Sequence, residues 1–219
     1  MDSRQFVRDL AAQNEEILNR LRQQPEPSPV GDPKEAVIRM LKIALKNEME
    51  AVELSARWIE STPETDVKVG FARQVGDEAK HYRLIQDRIQ ECGGDLTGFN
   101  PMAQGYSPLF QYLVTLKGTV ERAAAAQFTR ESIALVKNEQ FIDYLNQLRD
   151  SQTALLYQET IQPDEKYHHE LGWKILERYA ITDELQTKAR EAANRTLVLA
   201  EELQGLAFQK LGVSKAPGC

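Results

Sequence analysis

Two short motifs in this 219-residue sequence combine residue types and a spacing that suit a metal site. They read Asp77-Glu78-Ala79-Lys80-His81 and Asp164-Glu165-Lys166-Tyr167-His168. In each motif a glutamate precedes a histidine by three residues, so a helix would place both side chains on one face. The chain contains only three histidines, and two of them stand in this arrangement. A carboxylate and an imidazole that point to one place are suitable ligands for iron or manganese.

The surroundings of the two pairs decide between a solvated salt bridge and a buried ligand pair. A single Glu-x-x-His on a helix is usually solvated. Here the first pair lies on the apolar stripe of predicted helix B, which ends near Cys92. The second pair lies on the apolar stripe of predicted helix D, which begins between Asn138 and Ser151 and reaches about Tyr179. Both pairs therefore face a core, and this position favours metal binding over solvation.

A lone glutamate precedes the first pair on predicted helix A, which runs from about Pro33 to about Ser61. Glu48 interrupts the apolar stripe of that helix and lies 30 residues before Glu78, a sensible span for a helical hairpin. We therefore expect Glu48 to face the same core as the first pair.

The corresponding glutamate on predicted helix C, which starts near Pro108, is either Glu121 or Glu131. Glu121 precedes Glu165 by 44 residues, which requires extra residues in helix D or its loop, whereas Glu131 precedes it by 34. The sequence around Glu121 nonetheless echoes the sequence around Glu48, because small residues follow both glutamates one turn later. We therefore favour Glu121 and keep Glu131 as the alternative.

The fold class follows from the absence of any stretch with the alternation of a β-strand, so the sequence predicts an all-α protein. A loop rich in Gly, Pro and Asn begins at Gly93-Gly94 and extends to Ser107-Pro108. Its roughly 15 residues could span about 50 Å, enough to carry the chain from one end of a helical bundle to the other. We therefore expect one long crossover between helices B and C.

Pro163 lies two residues before Glu165, inside predicted helix D. A proline within a helix removes one hydrogen bond and clashes with the carbonyl group four residues earlier. We therefore expect the helix to bend, bulge or restart at this point.

The two ends of the chain are assigned to separate segments. Residues 1–32 are predicted to form an amphipathic helix over 3–22 and a proline-rich linker. Residues 33–212 form the main helical domain, whose last helix is capped at Thr182-Asp183 and ends near Gly212. Residues 213–219 form a tail.

The set of motifs resembles the ferritin-like di-iron carboxylate proteins, which include bacterioferritins, rubrerythrins and related oxygenases. Their ligands are one glutamate from each of two helices and one Glu-x-x-His from each of the other two. The resemblance covers residues from about 35 to 180 and implies a four-helix bundle with one long crossover. It also implies six metal ligands, which are Glu48, Glu78, His81, Glu121, Glu165 and His168.

The resemblance further implies two iron ions, with manganese or a mixed manganese–iron pair as alternatives. Glu48 and His81 would bind one ion, Glu121 and His168 the other, and the remaining two glutamates would bridge. Four carboxylates against two divalent cations sum to no net charge, so the buried site would be neutral. Small residues near this site, among them Gly172, either leave space for a substrate larger than O₂ or allow close helix approach.

The function implied by the resemblance is that of an oxidoreductase, an oxidase or oxygenase, that activates O₂ on a small organic substrate. An external electron donor would be a partner, because the chain has no electron carrier of its own. The alternative is a ferritin-like or rubrerythrin-like protein that oxidises iron or removes peroxide. A monomer or homodimer favours the enzyme and a hollow shell favours storage. A third interpretation is a helical bundle without metal.

Composition excludes several other classes of protein. The formal net charge of −6 and the absence of a dense basic run speak against nucleic-acid binding. No apolar stretch approaches the ~18 residues that span a membrane, and the N-terminus lacks the apolar core of a secretory signal. The two cysteines, Cys92 and Cys219, form no C-x-x-C pair. A cytoplasmic location is therefore expected.

Overall fold

The computed structural model of the protein describes residues 1–23, 31–211 and 216–218. Over these residues the regular elements are all helices and none is a strand, which confirms the all-α prediction. The elements in chain order are α1 (Ser3–Arg22), α2 (Pro33–Ser61), α3 (Thr65–Glu91), α4 (Pro108–Leu113), α5 (Thr119–Ala123), π1 (Ala124–Arg130), α6 (Glu131–Leu148), α7 (Ser151–Leu156), π2 (Tyr157–Ile161), α8 (Gln162–Tyr179) and α9 (Asp183–Leu211).

The first two helices begin directly after an aspartate that caps them. The side chain of Asp2 accepts backbone N–H hydrogen bonds in the first turn of α1. The side chain of Asp32 accepts the N–H of Lys34 at the start of α2, where Pro33 occupies the first turn. Both helices have the bounds that the sequence predicts.

Two of the long helices each contain a π-helical segment. We call the continuous run of α5, π1 and α6 the third long helix (119–148), and that of α7, π2 and α8 the fourth long helix (151–179). In π2 the N–H of Gln162 donates to the carbonyl oxygen of Tyr157, five residues earlier. Because π2 ends two residues before Pro163, the predicted interruption of this helix is confirmed as a bulge. The segment π1 has no counterpart in the prediction.

Two separate apolar layers hold α2, α3 and the third and fourth long helices together. The first layer includes Leu54, Phe71, Phe128 and Leu176, one from each helix in that order. The second layer includes Leu41, Ile89, Phe141 and Ile161 in the same order. Along the chain, α2 passes from the second layer to the first, and α3 returns from the first to the second. The third long helix passes from the first layer to the second, and the fourth returns from the second to the first. The two helices of each pair are therefore antiparallel.

Residues 92–118 carry the chain from one end of these helices to the other. α3 ends beside the second layer, whereas the third long helix begins beside the first. On the way the segment is bonded to α2, since Lys42 donates to the carbonyl oxygen of Asp95 and Lys46 to that of Gly105. This course matches the long crossover that the sequence predicts.

The chain ends pack against this main body. Phe6 and Leu10 of α1 are buried in the first layer. The predicted linker falls largely on residues 24–30, which lie outside the described residues, as do Gly212 and residues 213–215 and 219 of the predicted tail. Residues 216–218 lie against α6, where the N–H of Gly218 donates to the side chain of Asn138 at 3.0 Å.

Candidate metal centre

Six ionisable side chains meet between the two apolar layers, and none of them has any exposed surface. Two come from α3, two from the fourth long helix, and one each from α2 and the third long helix. They are Glu48, Glu78, His81, Glu131, Glu165 and His168. Five of the six are residues that the sequence predicts as ligands.

The six residues form two groups of four that share two glutamates. Glu78 and Glu165 belong to both groups; Glu48 and His81 complete the first group. Glu131 completes the second group together with the histidine of the second motif. Within each group one ligand atom from every residue lies within 4.8 Å of the others. The arrangement therefore offers two adjacent metal sites with two shared carboxylates.

The distances between ligand atoms are those of a coordination shell. Nδ1 of His81 lies 3.6 Å from Oε2 of Glu48 and 3.4 Å from Oε2 of Glu78. Nδ1 of His168 lies 2.9 Å from Oε2 of Glu165 and 3.5 Å from Oε1 of Glu78. An ion with ligand distances of about 2.1 Å holds neighbouring ligands about 3–3.5 Å apart. These atoms could therefore bind metal with small side-chain movements.

The structure brings Glu131, and not Glu121, into the cluster. Glu121 lies in the first turn of α5, where its carboxylate accepts the N–H of Gly118 at 2.9 Å. It belongs to neither group of converging ligands. Glu131, the alternative, is the buried glutamate that the third long helix contributes.

Two signals in the sequence favoured Glu131. Glu121 is the third residue after Gly118, the position at which a glutamate commonly bonds back to the start of a helix. The 34-residue spacing between Glu131 and Glu165 is also close to the 30 residues that separate the first two glutamates. The local resemblance to the sequence around Glu48 was misleading, because a helix begins immediately before Glu121.

Several buried polar atoms of the cluster have no hydrogen-bond partner among the described residues. They are both carboxylate oxygens of Glu48, Nδ1 of His81, Oε2 of Glu131 and Oε1 of Glu165. A buried polar atom without a partner is costly, so protein interiors rarely leave several of them in one place. All of these atoms are oxygen or nitrogen donors to divalent metals. The residues present therefore fit a pair of bound cations.

The electrostatics of the cluster indicate that protons compensate its charge when no other cation is bound. Burial raises the pKa of Glu48 to about 7 and raises that of Glu165 well above its ordinary value. Burial lowers the pKa of His81, but the adjacent carboxylates of Glu48 and Glu78 outweigh burial and raise that pKa to about 12. Burial raises the pKa of Glu78, but the two imidazoles outweigh burial and hold that pKa well below its ordinary value. Metal binding would release these protons.

Two aspartates that the sequence analysis did not select fix the orientation of the histidines. Asp164 accepts from Nε2 of His81 at 3.1 Å, and Asp77 accepts from Nε2 of His168 at 3.2 Å. Each motif thus supplies the aspartate for the histidine of the other. Because Nε2–H is held by an aspartate, Nδ1 of each ring faces the glutamates. The signal was an aspartate directly before the glutamate in both motifs.

An amide side chain connects two of the glutamates. Nε2 of Gln74 donates to Oε1 of Glu131 at 2.8 Å and to Oε1 of Glu78 at 3.1 Å. Its own oxygen accepts from Nε2 of Gln127 at 3.0 Å, and Gln127 belongs to π1. Gln74 is buried and therefore holds these two carboxylates in fixed positions. The sequence analysis did not identify it, since a glutamine on an apolar stripe has no specific signal.

The segment π1 packs closely against the fourth long helix. A side-chain carbon added at Gly172 would lie 2.5 Å from the backbone nitrogen of Phe128. His169 donates from Nδ1 to the carbonyl oxygen of Phe128 at 2.8 Å. The space beside Gly172 is therefore filled by backbone, so this glycine allows close helix approach and leaves no room for a substrate.

Comparison with known proteins gives no relative: no family model, curated protein or solved structure matches this chain. Within the described residues, no helix combines the length and the apolar character needed to cross a membrane. The assignment of the site therefore depends on its own geometry and chemistry.

Proposed function

We propose that the protein is a ferritin-like, non-haem di-iron oxidoreductase that activates O₂ on a small organic substrate. The observation that carries the proposal is the convergence of two equivalent ligand sets, each a lone glutamate and a Glu-x-x-His, in one buried layer. The antiparallel helix pairs and the long crossover support the ferritin-like assignment.

The donor set supports iron or manganese as the metal. Four carboxylates and two imidazoles are available, and neither group of ligands contains a thiolate. Two divalent cations would balance four carboxylates, which accounts for the burial of so many glutamates in one layer. Bound iron supplies the electron transfer to O₂ that amino-acid side chains do not perform.

The protein's own residues would orient the ligands and exclude water. Asp77 and Asp164 keep both imidazoles turned with Nδ1 toward the glutamates. Gln74 keeps two carboxylates close to each other through its amide group. The apolar layers on either side keep the site dry, which strengthens the electrostatic interactions within it.

The proposal is tested by metal analysis of matched glutamine variants. The protein is incubated with Fe²⁺ without oxygen, desalted and analysed for iron, and its absorption spectrum is then recorded after O₂ is added. We expect about two irons per chain in the wild type and in Glu121→Gln. We expect Glu131→Gln to lose at least one iron, because it removes a carboxylate from one group of ligands.

Two results would contradict the di-iron proposal. One is less than about half an equivalent of iron or manganese in the reconstituted wild type. The other is equal iron content and equal stability in the wild type and His81→Ala, as expected of a helical bundle without metal. A normal iron content with no spectral change on O₂ addition would retain the metal site but reject O₂ activation.

A further inference from the structure

A cavity of about 240 Å³ lies between α2 and α6. Ile43 and Ile133 form its apolar walls together with Leu109, and α9 and residues 216–218 border it. At 100° per residue, Ile43, Lys46 and Glu50 lie on the opposite side of α2 from Glu48, and the cavity lining includes none of the six cluster residues. The cavity is therefore separate from the candidate metal centre.

Among the described residues, the charged groups that line this cavity are Lys46, Arg130, Lys137 and Glu50. The two oxygens of Glu50 already accept the backbone N–H of Ser107 at 2.7 Å and its hydroxyl at 2.6 Å. Nζ of Lys46 lies 3.9 Å from Oε1 of Glu50, so this lysine has a counter-charge and Lys137 is the lysine of the cavity that is left to bind an anion.

Lys137 is the cation with the least compensation. It is partly buried and donates to the side-chain oxygen of Gln204 at 3.4 Å. None of the described residues places a carboxylate within salt-bridge distance of it. A cation that is partly removed from water and has no counter-charge is less favourable than a solvated one, and an anion held beside it would relieve that cost.

We propose that this cavity binds a small organic acid, whose carboxylate pairs with Lys137 and whose apolar body lies against Ile43, Leu109 and Ile133. At the ~30 Å³ that a water molecule takes up in the liquid, its volume corresponds to about eight non-hydrogen atoms. The mixture of apolar walls with a few polar groups is typical of small-molecule sites. The proposal does not depend on the metal centre.

The protonation state of Lys137 is consistent with this assignment. Burial lowers the pKa of its ammonium group to about 8, so the group is still predominantly charged at pH 7. Affinity for an acid should decrease as the pH rises above 8, since the positive charge is then lost.

The test compares hexanoate, which has eight non-hydrogen atoms, with its neutral counterpart hexanamide by isothermal titration calorimetry at pH 7. We expect the wild type to bind hexanoate about tenfold more tightly than hexanamide, because only hexanoate forms the ion pair. Lys137→Met keeps an unbranched side chain without the charged group and should abolish that preference. Lys174→Met, which changes an exposed lysine on the fourth long helix, should retain it.

A second variant distinguishes binding of hexanoate in the cavity from binding of its carboxylate at the metal centre. Ile43→Phe adds bulk to the cavity wall without changing any charge and should weaken both compounds. The proposal is overturned by equal affinities of the two compounds in the wild type, by an unchanged preference in Lys137→Met, or by no detectable heat with hexanoate at 10 mM. Unchanged hexanoate affinity in Ile43→Phe would also overturn it.

Discussion

Each histidine of the cluster uses its two ring nitrogens for different purposes. Nε2 bonds to an aspartate from the opposite motif, and Nδ1 lies among the glutamates. The aspartates are only partly buried, and each also pairs with a cation, Arg73 with Asp77 and Lys80 with Asp164. The orientation of each ligand ring is thus set by groups that extend to the protein surface.

Removal of one aspartate carboxylate tests this arrangement. Asp164→Asn keeps the shape of the side chain but weakens its hydrogen bond with His81, so we expect metal affinity to fall about 10–100-fold. Competition with a chelator of known affinity measures the change. Asp87→Asn, an exposed position on α3, serves as the control and should bind metal as the wild type does. An affinity within about twofold of wild type in Asp164→Asn would show that the hydrogen bond does not matter.

At this scale the sequence predicted most of the cluster but not its surroundings. Glu-x-x-His spacing identified four of the six cluster residues, because two side chains three residues apart must share a helical face. The lone glutamate of the third long helix could not be chosen by periodicity, because π1 changes the phase of the helix just before Glu131. Gln74 was missed because its role appears only when α3 and the third long helix are in contact.

At the scale of elements, the close contact between π1 and the fourth long helix sets where Glu131 lies. The contact is made by Gly172 against the backbone of residues 127 and 128. Glu131 follows directly after π1, so the packing of this segment determines the position of its carboxylate. The wider turn of π1 and the missing side chain at Gly172 therefore belong to one packing arrangement.

Gly172→Ala should destabilise the protein by about 2–3 kcal/mol, because its new methyl group would lie 2.5 Å from the backbone of Phe128. Gly76→Ala is the matched control on an exposed face of α3, where the new methyl group meets no atom within 4 Å. It should stabilise the protein by about 0.5–1 kcal/mol, since alanine favours the helix. Urea unfolding of both variants measures these differences. Equal effects of the two substitutions would contradict the close packing.

Element boundaries could be predicted well where caps and prolines determine them. Asp32 and Pro33 start α2, and Pro163 forces the bulge in the fourth long helix. The predicted helix C was less accurate, because α4 ends at Leu113 and a new helix starts only at Thr119. No strong breaker other than Gly118 marks that gap, and the π1 sequence, Ala-Ala-Ala-Gln-Phe-Thr-Arg, has nothing that distinguishes it from an α-helix.

At the scale of the whole molecule, a layer of ionisable side chains divides the apolar core in two. In the metal-free protein its carboxylates with raised pKa, Glu48, Glu131 and Glu165, favour folding only while they hold protons. The imidazoles, whose pKa values are also raised, stabilise the folded state while they are protonated. Both effects weaken as the pH rises.

We therefore expect the metal-free protein to lose stability between pH 5 and pH 9. From about pH 4.5 to pH 7 the unfolded chain ionises its glutamates before the folded protein does, and above about pH 6.5 it loses its histidine protons first. The upper limit is about 1.4 kcal/mol per pH unit for each such group. Urea unfolding at pH 5, 7 and 9 measures the trend. Glu48→Gln should flatten it below pH 7, and a stability that rises with pH would contradict the prediction.

The division of the core into two layers also specifies how the helices align lengthwise. Leucine, isoleucine and alanine could exchange partners if one helix slid past its neighbours by a turn, about 5.4 Å. Such a slide would move a glutamate or histidine into an apolar layer, at a cost of several kcal/mol. The six residues of the cluster thus favour one lengthwise register of the four helices, even when no metal is bound.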